Sequence, residues 1–572
     1  MSSLKDLASL IMIPSLVKDG RLDTVKPLGN SIIHPDATGN NDGTDGSTPA
    51  EGNFTFTRCG GAAGCDLAAT RVDVNGLIEK GRENIATYSE DATNGVYTKS
   101  NISVTANNDA SPIGTATADT LTATANGATL QGVVTAVNGR VYTMSVYIKR
   151  RTGTGQVALR GINNLTTNIT ITNAWQRYEV FMVSNSTNGR YGVYLATSGD
   201  EVDVWGFQLE ESLVATDYIE TGASTAQAGI LEDLPRLDYS GGASCPSLLL
   251  EPQRTNRLAN SENGYGWTTS NVSVLPFDGG INGKYFQLTS AGSASRFNVI
   301  QNNWVNLAAA TYTASVFAKK GTADEIILTT RANFASQSAY STFNLTSGTV
   351  ANNGVTGSIE PYSDGWYRCS ITFTNPGSYT DFASFAYGFN FNASSTDTLF
   401  VTAPQSEIGS YPTSYIPTYG SAVTRSAENN VLGTPISLDS DFCLFWEGAV
   451  FEDDIMLYGS GTNAWYMNYT TSTGRIILDE SSGRKVQAYL GSGTATGVRT
   501  KIMIRRQGGV HNVFANGAKL TNNTSVNSTT TLSLSSMFWA FSSAFYKGLE
   551  VNQSLVFETA LTDSECIALT TI

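Results

Sequence analysis

Histidine is scarce in this chain, since His34 and His511 are the only two among 572 residues. Neither lies beside a nucleophile motif such as Gly-x-Ser-x-Gly, so a histidine-dependent triad would have to be built from two isolated candidates. His511 stands next to a predicted hairpin, where we expect a solvent-exposed turn residue. The sequence therefore predicts no catalytic histidine.

Cysteine is also sparse. Six cysteines are too few for a disulfide scaffold at this length, and no CxxC spacing suggests zinc. Alternation puts Cys369 on the apolar face of a strand, and Cys443 and Cys566 look similar, so reduced core thiols are expected. Whether Cys59 and Cys65 pair in their Gly-rich loop is left open by the sequence.

Long apolar runs and basic stripes are missing. No apolar run is long enough for a membrane-spanning helix, and the stretch from Leu7 to Val17 is broken by Pro14 and lacks a small-residue cleavage site. We therefore expect no membrane insertion and no signal peptide. The formal net charge of −14 repels phosphate backbones, which argues against nucleic-acid partners.

What the chain does contain favours sheets. Only 15% of its residues are charged, Gly, Ser, Thr and Asn dominate the polar positions, and 41% hydrophobic content can supply several cores. The length suits three or four domains. An all-β protein is predicted.

A long internal repeat organises the middle of the chain. Tyr142–Lys149 returns as Tyr312–Lys319, and Tyr97–Val104 returns as Trp267–Val274 at the same offset. Farther on, four further motifs recur, at offsets that differ from this one: Trp175-Gln-Arg177 with Trp366-Tyr-Arg368, Gln208-Leu-Glu210 with Gln405-Ser-Glu407, Thr216–Thr221 with Thr413–Thr418, and Arg82-x-Asn84 with Arg254-x-Asn256. One β-domain has been duplicated, with longer loops in the second copy.

The strands of each copy show period-2 alternation. Tyr142, Met144, Val146 and Ile148 share one face, as expected for a half-buried antiparallel strand. Two facing sheets of such strands predict a β-sandwich or jelly roll. A lead-in, Arg71-Val-Asp73, recurs as Arg236-Leu-Asp238 and in reduced form around Arg425, which indicates a joint that couples neighbouring modules.

The last part of the chain is a different β-domain. Asn516-Gly517 predicts a two-residue hairpin, and Thr562-Asp-Ser-Glu565 predicts a capping box that opens a short terminal helix. Val513-x-x-Asn516-Gly517 and Ala560-Leu-Thr-Asp-Ser-Glu565 resemble the close of laminin-G/concanavalin A-like lectin domains. The resemblance implies a sandwich whose loops bind carbohydrate.

The repeated modules and the opening segment resemble another class of protein. Trp-x-Arg, Gln-x-Glu and Thr-x-Tyr-Ile-x-Thr look like the carbohydrate-binding-module-like sandwiches of bacteriophage structural proteins, and Leu4–Ser15 with Phe54–Arg58 resembles the start of phage virion and tail-fibre-like proteins. This implies a virion surface appendage, commonly a homotrimer, assembled in the host cytoplasm. Leu4, Leu7, Leu10 and Ile11 have helical spacing, which favours an anchor into another virion protein.

The predicted architecture is a row of tandem antiparallel β-sandwiches after a short irregular or helical N-terminal segment. Its parts are the N-terminal attachment segment (1–58), a lead-in connector (59–81), module 1 (82–224), a second connector (225–253), module 2 (254–425) and a concanavalin A/laminin-G-like sandwich (426–572).

Carboxylate and metal motifs are incomplete in this chain. Glu452-Asp-Asp454 approaches the acid motif of laminarinase-like glycosidases, but Leu457 replaces the second Glu, so a solvated acidic loop is expected. Asn40, Asp42, Thr44 and Glu51 imitate a calcium loop, yet Asp45 stands where Gly is needed. No catalytic residue, cofactor or metal ligand is predicted, although calcium held by sandwich loops would leave no signature.

Aromatic residues supply the raw material for sugar stacking. Trp175 and Trp366 recur at equivalent positions and are predicted to lie in the cores, whereas Trp465 and Tyr466, near Asn463, are the better exposed candidates. The function predicted is non-enzymatic adhesion to host-surface glycans by a phage fibre or other appendage. A polysaccharide depolymerase and a purely architectural fibre or capsid decoration are the alternatives.

Overall fold

The computed structural model describes residues 10–12, 24–26, 31–33, 54–58, 66–230, 235–240, 245–262, 264, 267–291, 297–304, 308–331, 339–375, 383–390, 394, 396–439, 441–453, 455–460, 465–490, 496–540 and 548–572. Antiparallel strands dominate, so the all-β prediction is confirmed. The described residues among 1–76, 232–254 and 424–572 form one compact unit, and those among 77–231 and 255–423 form another.

Short strands come first along the chain. They are β1 (Leu10–Met12), β2 (Thr24–Lys26), β3 (Ser31–Ile33), β4 (Phe54–Thr57), β5 (Thr70–Val72), β6 (Ile78–Lys80) and β7 (Arg82–Asn84). Leu10 and Ile11 therefore lie in a strand, and the helix that the spacing of this patch indicated is wrong at these two residues. Leu4 and Leu7 lie outside the described residues.

Module 1 is a sandwich of two five-stranded sheets. Its strands are β8 (Tyr97–Ser100), β9 (Ile102–Asp109), β10 (Ala118–Ala123), β11 (Ala128–Thr135), β12 (Val141–Thr152), β13 (Val157–Arg160), β14 (Thr166–Ile169), β15 (Gln176–Val183), β16 (Asn188–Leu195) and β17 (Glu201–Glu210). One sheet has the order β15-β12-β17-β10-β9 and the other β14-β13-β16-β11-β8. The alternating residues Met144, Val146 and Ile148 of β12 are buried in the core between them, as predicted.

Module 2 is a sandwich of two six-stranded sheets. The connector before it contains β18 (Ala226–Ala228), β19 (Arg236–Asp238), β20 (Ser247–Leu250) and β21 (Arg254–Asn256). The module's own strands are β22 (Thr268–Ser270), β23 (Val272–Asp278), β24 (Lys284–Ser290), β25 (Phe297–Trp304), β26 (Ala310–Lys320), β27 (Glu325–Arg331), β28 (Tyr340–Asn344), β29 (Thr349–Asn353), β30 (Thr356–Pro361), β31 (Trp366–Asn375), β32 (Ala383–Phe389) and β33 (Thr398–Ile408). Their orders are β22-β25-β32-β27-β28-β29 and β23-β24-β33-β26-β31-β30.

The repeated motifs of module 1 are joined by one network of hydrogen bonds, which we call the closing network. Asn84 donates to the Ile219 carbonyl at 2.8 Å, and Gln208 accepts from the Ile219 amide at 2.7 Å. Arg177 donates to the hydroxyl of Ser145, and Glu210 accepts from the Thr216 amide at 3.0 Å. The closing network holds the closing segment of the module, Thr216–Thr221, against its sheet.

Module 2 contains an equivalent closing network. Asn256 donates to the Ile416 carbonyl at 2.8 Å, and Gln405 accepts from the Ile416 amide at 2.6 Å. Arg368 donates to the hydroxyl of Ser315 at 3.2 Å, and Glu407 accepts from the Thr413 amide at 2.8 Å. The two copies therefore match in these contacts as well as in sequence.

The remaining strands follow module 2, and all of them except the first build the C-terminal sandwich. They are β34 (Val423–Arg425), β35 (Asn429–Leu438), β36 (Phe442–Val450), β37 (Ile455–Gly459), β38 (Trp465–Thr470), β39 (Arg475–Glu480), β40 (Gly483–Tyr489), β41 (Thr500–Gln507), β42 (Val510–Ala515), β43 (Ala518–Lys519), β44 (Asn522–Ser525), β45 (Leu532–Ala540) and β46 (Leu549–Phe557), followed by helix α1 (Asp563–Thr570). One sheet has the order β3-β2-β1-β46-β36-β41-β42-β43, with β20 also paired to β46 and β19 paired to β20. The other has the order β4-β35-β45-β37-β38-β39-β40-β44.

Strands from distant parts of the sequence thus complete this sandwich. Ile11 is opposite Leu555, and Phe56 is opposite Asn430, so the N-terminal strands extend both sheets. The described parts of the N-terminal segment are integral to the C-terminal sandwich rather than a separate tail.

Two local predictions for this domain are confirmed. Thr562 accepts from the Glu565 amide, and the Glu565 carboxylate accepts from the Thr562 amide at 2.8 Å, which is the capping box of α1. Asn516 and Gly517 both have positive φ, at 45° and 81°, as a type I′ turn between β42 and β43 requires.

Candidate functional site

The structure buries one of the predicted sugar-binding residues. Trp465 is only 2% exposed, and its indole N–H donates to the Ser533 carbonyl at 2.9 Å, so the predicted exposure of this ring is wrong. Tyr466 points the other way on the same strand and is half-buried, with its hydroxyl donating to Asp479 at 2.8 Å. Asn463 lies outside the described residues.

His511 is also placed differently from the prediction. It lies in β42 and is fully buried, so the expectation of an exposed turn residue is wrong. Burial lowers the pKa of His511 to about 4, and the positive charges of Arg506 and Lys485 act in the same direction. The ring is therefore neutral near pH 7.

The acidic stretch near residue 452 is engaged with neighbouring groups. Glu452 pairs with Arg254 at 2.9 Å, and Asp453 accepts from the Ser472 amide at 2.7 Å. Asp454 lies outside the described residues. Within the ranges that the structure describes, no three His, Cys, Asp or Glu side chains come together in a way that could hold a metal ion.

The calcium-like stretch Asn40–Glu51, His34 and the cysteines Cys59 and Cys65 all lie outside the described residues. No helix in the described part of the chain is long and apolar enough to cross a membrane.

An aromatic face of module 1 is the strongest candidate site. We define it by Tyr147, Trp175, Trp205, Tyr218 and Glu90. Because strand residues alternate, Tyr147 of β12 and its cross-strand neighbour Trp205 of β17 project away from the core that Val146 and Ile148 fill. The ring centroids of Tyr147 and Trp205 are 5.6 Å apart, and those of Trp205 and Tyr218 are 4.6 Å apart. Trp205 is 3% exposed, so it supports the two tyrosine rings more than it meets solvent.

Polar groups converge on the aromatic face of module 1. The Tyr218 hydroxyl donates to the Glu90 carboxylate at 3.2 Å, and the indole N–H of Trp205 donates to Thr117 at 2.9 Å. Burial raises the pKa of Glu90, and the nearby charge of Glu220 raises it further. Tyr147, Tyr218 and Glu90 are half-buried, so the face offers both ring surface and a hydrogen-bonding carboxylate to solvent.

Trp175 forms the edge of the face. It is half-buried, its indole N–H donates to the Ala110 carbonyl at 3.0 Å, and the ammonium of Lys149 lies 5.0 Å from its ring centroid. Lys149 in turn pairs with Asp109 at 3.0 Å. Rings beside charged hydrogen-bonding groups are the usual elements of a carbohydrate site.

The equivalent face of module 2 is covered. Its counterparts to the five residues are Phe317, Trp366, Thr402, Tyr415 and Glu262. Phe317, Trp366 and Tyr415 are each 2% exposed and pack with Ile78 and Ile281 in one apolar cluster. The cover is β6, which is part of the lead-in to module 1.

The sequence contained part of this signal. Ser89-Glu90 of module 1 recurs as Ser261-Glu262 in module 2, and both serines share a hydrogen bond of 2.6 Å with the tyrosine of the closing motif. Sequence reasoning missed the pair, and it predicted Trp175 in the core because Trp366 recurs there. The prediction is right for Trp366 and wrong for Trp175.

No family model matches the chain, and no curated protein matches it. Among solved structures, the N-terminal tandem CBM22-1–CBM22-2 domains of Paenibacillus barcinonensis Xyn10C are similar at 13% identity, with a TM-score of 0.21, over 60% of this chain and all of that one (100%). The LG1–3 region of the laminin alpha2 chain is similar at 11% identity, with a TM-score of 0.19, over 76% of this chain and 96% of that one.

A Trypanosoma rangeli sialidase is similar at 12% identity and a TM-score of 0.19, over 90% of this chain and 91% of that one. The arrangement of the strands defines the chain as a tandem β-sandwich protein.

Proposed function

We propose that the protein is a non-enzymatic surface protein of a bacteriophage virion that binds host-surface glycans through the aromatic face of module 1. The observation that carries glycan binding is the asymmetry of the duplication, because one aromatic face is covered from within the chain while its counterpart is half exposed. The phage role is supported by the sequence resemblance of the opening segment and of the repeated motifs.

In this proposal the protein attaches to other virion proteins through the start of its N-terminal segment, around Leu4 and Leu7, since Leu10 and Ile11 are paired with β46. It assembles as a homotrimer. A trimer presenting one weak site per chain gains avidity, because the second and third contacts form at a high effective concentration. The acidic composition keeps such a surface soluble and discourages contacts with nucleic acid.

A glycan array probed with the full-length protein tests the proposal. Trp175→Ala removes a stacking ring and is expected to weaken binding about tenfold, whereas Trp175→Phe keeps a ring and most of the affinity. Val133→Ser is the matched control, since Val133 is 51% exposed on β11 in the other sheet of the same module. Equal binding by the parent protein and Trp175→Ala would contradict the assignment of the site.

Two further measurements separate the alternatives. Release of reducing ends from any bound polysaccharide would favour a depolymerase. The absence of binding to every glycan, together with decoration of intact particles by the protein, would favour an architectural role.

A further inference from the structure

The covered face of module 2 can be compared with the open aromatic face of module 1, residue by residue. Tyr218 and Ser89 of module 1 share a hydrogen bond of 2.6 Å, and Tyr415 and Ser261 of module 2 share one of the same length. The next residue after each serine is a glutamate, Glu90 in module 1 and Glu262 in module 2. The two carboxylates therefore occupy corresponding places beside corresponding tyrosines.

In module 2 an alkyl ammonium group occupies this place. The Lys80 ammonium lies 2.8 Å from the Glu262 carboxylate and also donates to the Asn282 carbonyl at 3.3 Å. Two residues earlier, Ile78 donates its amide to the Ile281 carbonyl at 2.8 Å and buries its side chain against the aromatic cluster. The occupant thus pairs an apolar group on the rings with a cation on the glutamate.

In module 1 the same carboxylate lacks such a partner. The charge that acts on Glu90 is the negative charge of Glu220, and no lysine or arginine of the described residues pairs with it. The corresponding hairpin loop is also uncovered, since Ile113 is 69% exposed where Ile281 is 1% exposed. Burial disfavours the ionised form of Glu90, and a cation beside the carboxylate would stabilise that form.

The module 1 face differs from its counterpart in ways that suit a sugar better than an aliphatic side chain. Tyr147 replaces Phe317 and adds a hydroxyl group, while Trp205 replaces Thr402 and adds a broad ring that supports the tyrosines. These changes enlarge the aromatic surface and place the Tyr147 hydroxyl group at its centre, while the hydroxyl group of Thr402 has no counterpart. A pyranose ring presents an apolar surface edged with hydroxyl groups, which matches both features.

We propose, resting on the glycan-binding function above, that the aromatic face of module 1 selects glycans that carry a free amino group. The pyranose ring lies on Tyr147 and Trp175, and the ammonium group of a de-N-acetylated hexosamine pairs with Glu90. N-acetylation removes the charge and adds bulk at the position that faces the carboxylate, so the acetylated sugar is rejected.

Calorimetric titration of the full-length protein tests the selectivity with a β-1,4-linked glucosamine tetramer and its fully N-acetylated counterpart, both at pH 6. The glucosamine tetramer is expected to bind about tenfold more tightly, as one charge-assisted contact would provide. Glu90→Gln, which keeps an acceptor for Tyr218, is expected to remove most of this preference. Glu220→Gln makes the same charge change at an exposed neighbour and is the matched control, with less than a twofold effect expected.

The outcomes separate this inference from the proposed function. Equal affinity for the two tetramers, or equal effects of Glu90→Gln and Glu220→Gln, would overturn the amino-group selectivity while leaving glycan binding in place. No binding of either tetramer or of any array glycan would overturn the proposed function itself. Tighter, Glu90-dependent binding of the peptide acetyl-Ile-Glu-Lys-amide would show that the face takes a protein segment, and would overturn the sugar assignment. Far-ultraviolet circular dichroism of each variant shows that the sandwich is intact.

Discussion

Arg236 and Glu428 are 192 positions apart in sequence and form a buried ion pair. Arg236 also donates to Glu251 at 2.8 Å and to the Thr70 carbonyl at 2.9 Å, and Arg425 pairs with Glu251 at 3.0 Å. The three repeated lead-ins thus meet in one buried network within a single compact unit, rather than each serving only the sandwich that follows it.

Removing one carboxylate from this network is expected to destabilise the unit strongly. Glu428→Gln leaves the guanidinium group of Arg236, which is 1% exposed, with one carboxylate fewer in a place where water cannot replace it. Breaking a buried pair in this way costs about 3 to 5 kcal/mol of unfolding free energy. Urea denaturation followed by tryptophan fluorescence measures the change.

An exposed ion pair provides the comparison. Lys320 and Asp324 lie 2.8 Å apart with side chains about half exposed, and Lys320→Met is expected to leave the unfolding free energy almost unchanged, because solvent screens the pair. Similar small effects for Lys320→Met and Glu428→Gln would show that the buried network does not stabilise the joint.

The buried His511 is expected to make the C-terminal sandwich sensitive to acid. Its pKa is about 4 in the folded chain, while an unfolded histidine titrates near pH 6.5. Between these values the unfolded chain binds a proton that the folded chain does not, so stability falls as the pH falls from about 6.5 to 4. The loss over this window is about 3 kcal/mol.

The charged groups that act on His511 are mainly positive. Arg506 and Lys485 bring positive charge towards the ring, and Glu480 lies 3.7 Å from Arg506. His511→Gln removes the titrating group, and thermal unfolding measured from pH 7 to 4 should then show a shallower decline. Parallel pH profiles for the two proteins would show that other groups cause the acid sensitivity.

Much of the fold could be predicted because its signals are local. The period of two in Met144, Val146 and Ile148 reports one buried face directly, and the capping box at Thr562 needs only four adjacent residues. The duplication could also be predicted, since motifs such as Trp-x-Arg recur in the same order in both copies. The closing network that these motifs form could not be predicted, because it depends on how the closing segment folds back onto the sheet.

The errors came from long-range partners. Leu10 and Ile11 form a strand because β46, near the opposite end of the chain, offers an edge for pairing. Trp175 and Trp366 occupy the same position in their modules, yet only Trp366 is covered by the lead-in strand that contains Ile78. Trp465 is the exception, since its alternation with Met467 and Tyr469 already indicated an inward-facing ring.

Trp465 and its neighbour Tyr466 are expected to respond differently to truncation. Trp465→Ala empties a large site in the C-terminal core and should cost about 3 to 5 kcal/mol of unfolding free energy. Tyr466→Ala, on the half-buried outer face, should cost far less, because water can solvate the Asp479 carboxylate that its hydroxyl contacts. Thermal unfolding of the two variants makes the comparison, and equal losses would contradict the assigned orientations.

The two tryptophans of the duplicated motif should separate stability from binding. Trp366→Ala removes a ring that is 2% exposed and packs beneath Ile78, so it is expected to lower the unfolding free energy by about 3 kcal/mol or more. Trp175→Ala removes a half-buried ring, so its effect on stability should be smaller while the affinity for glycan falls. Denaturant unfolding and glycan titration of both variants give the four values that decide this. A large loss of stability with Trp175→Ala, or a large loss of affinity with the still folded Trp366→Ala, would mean that the covered and open faces have been assigned the wrong way round.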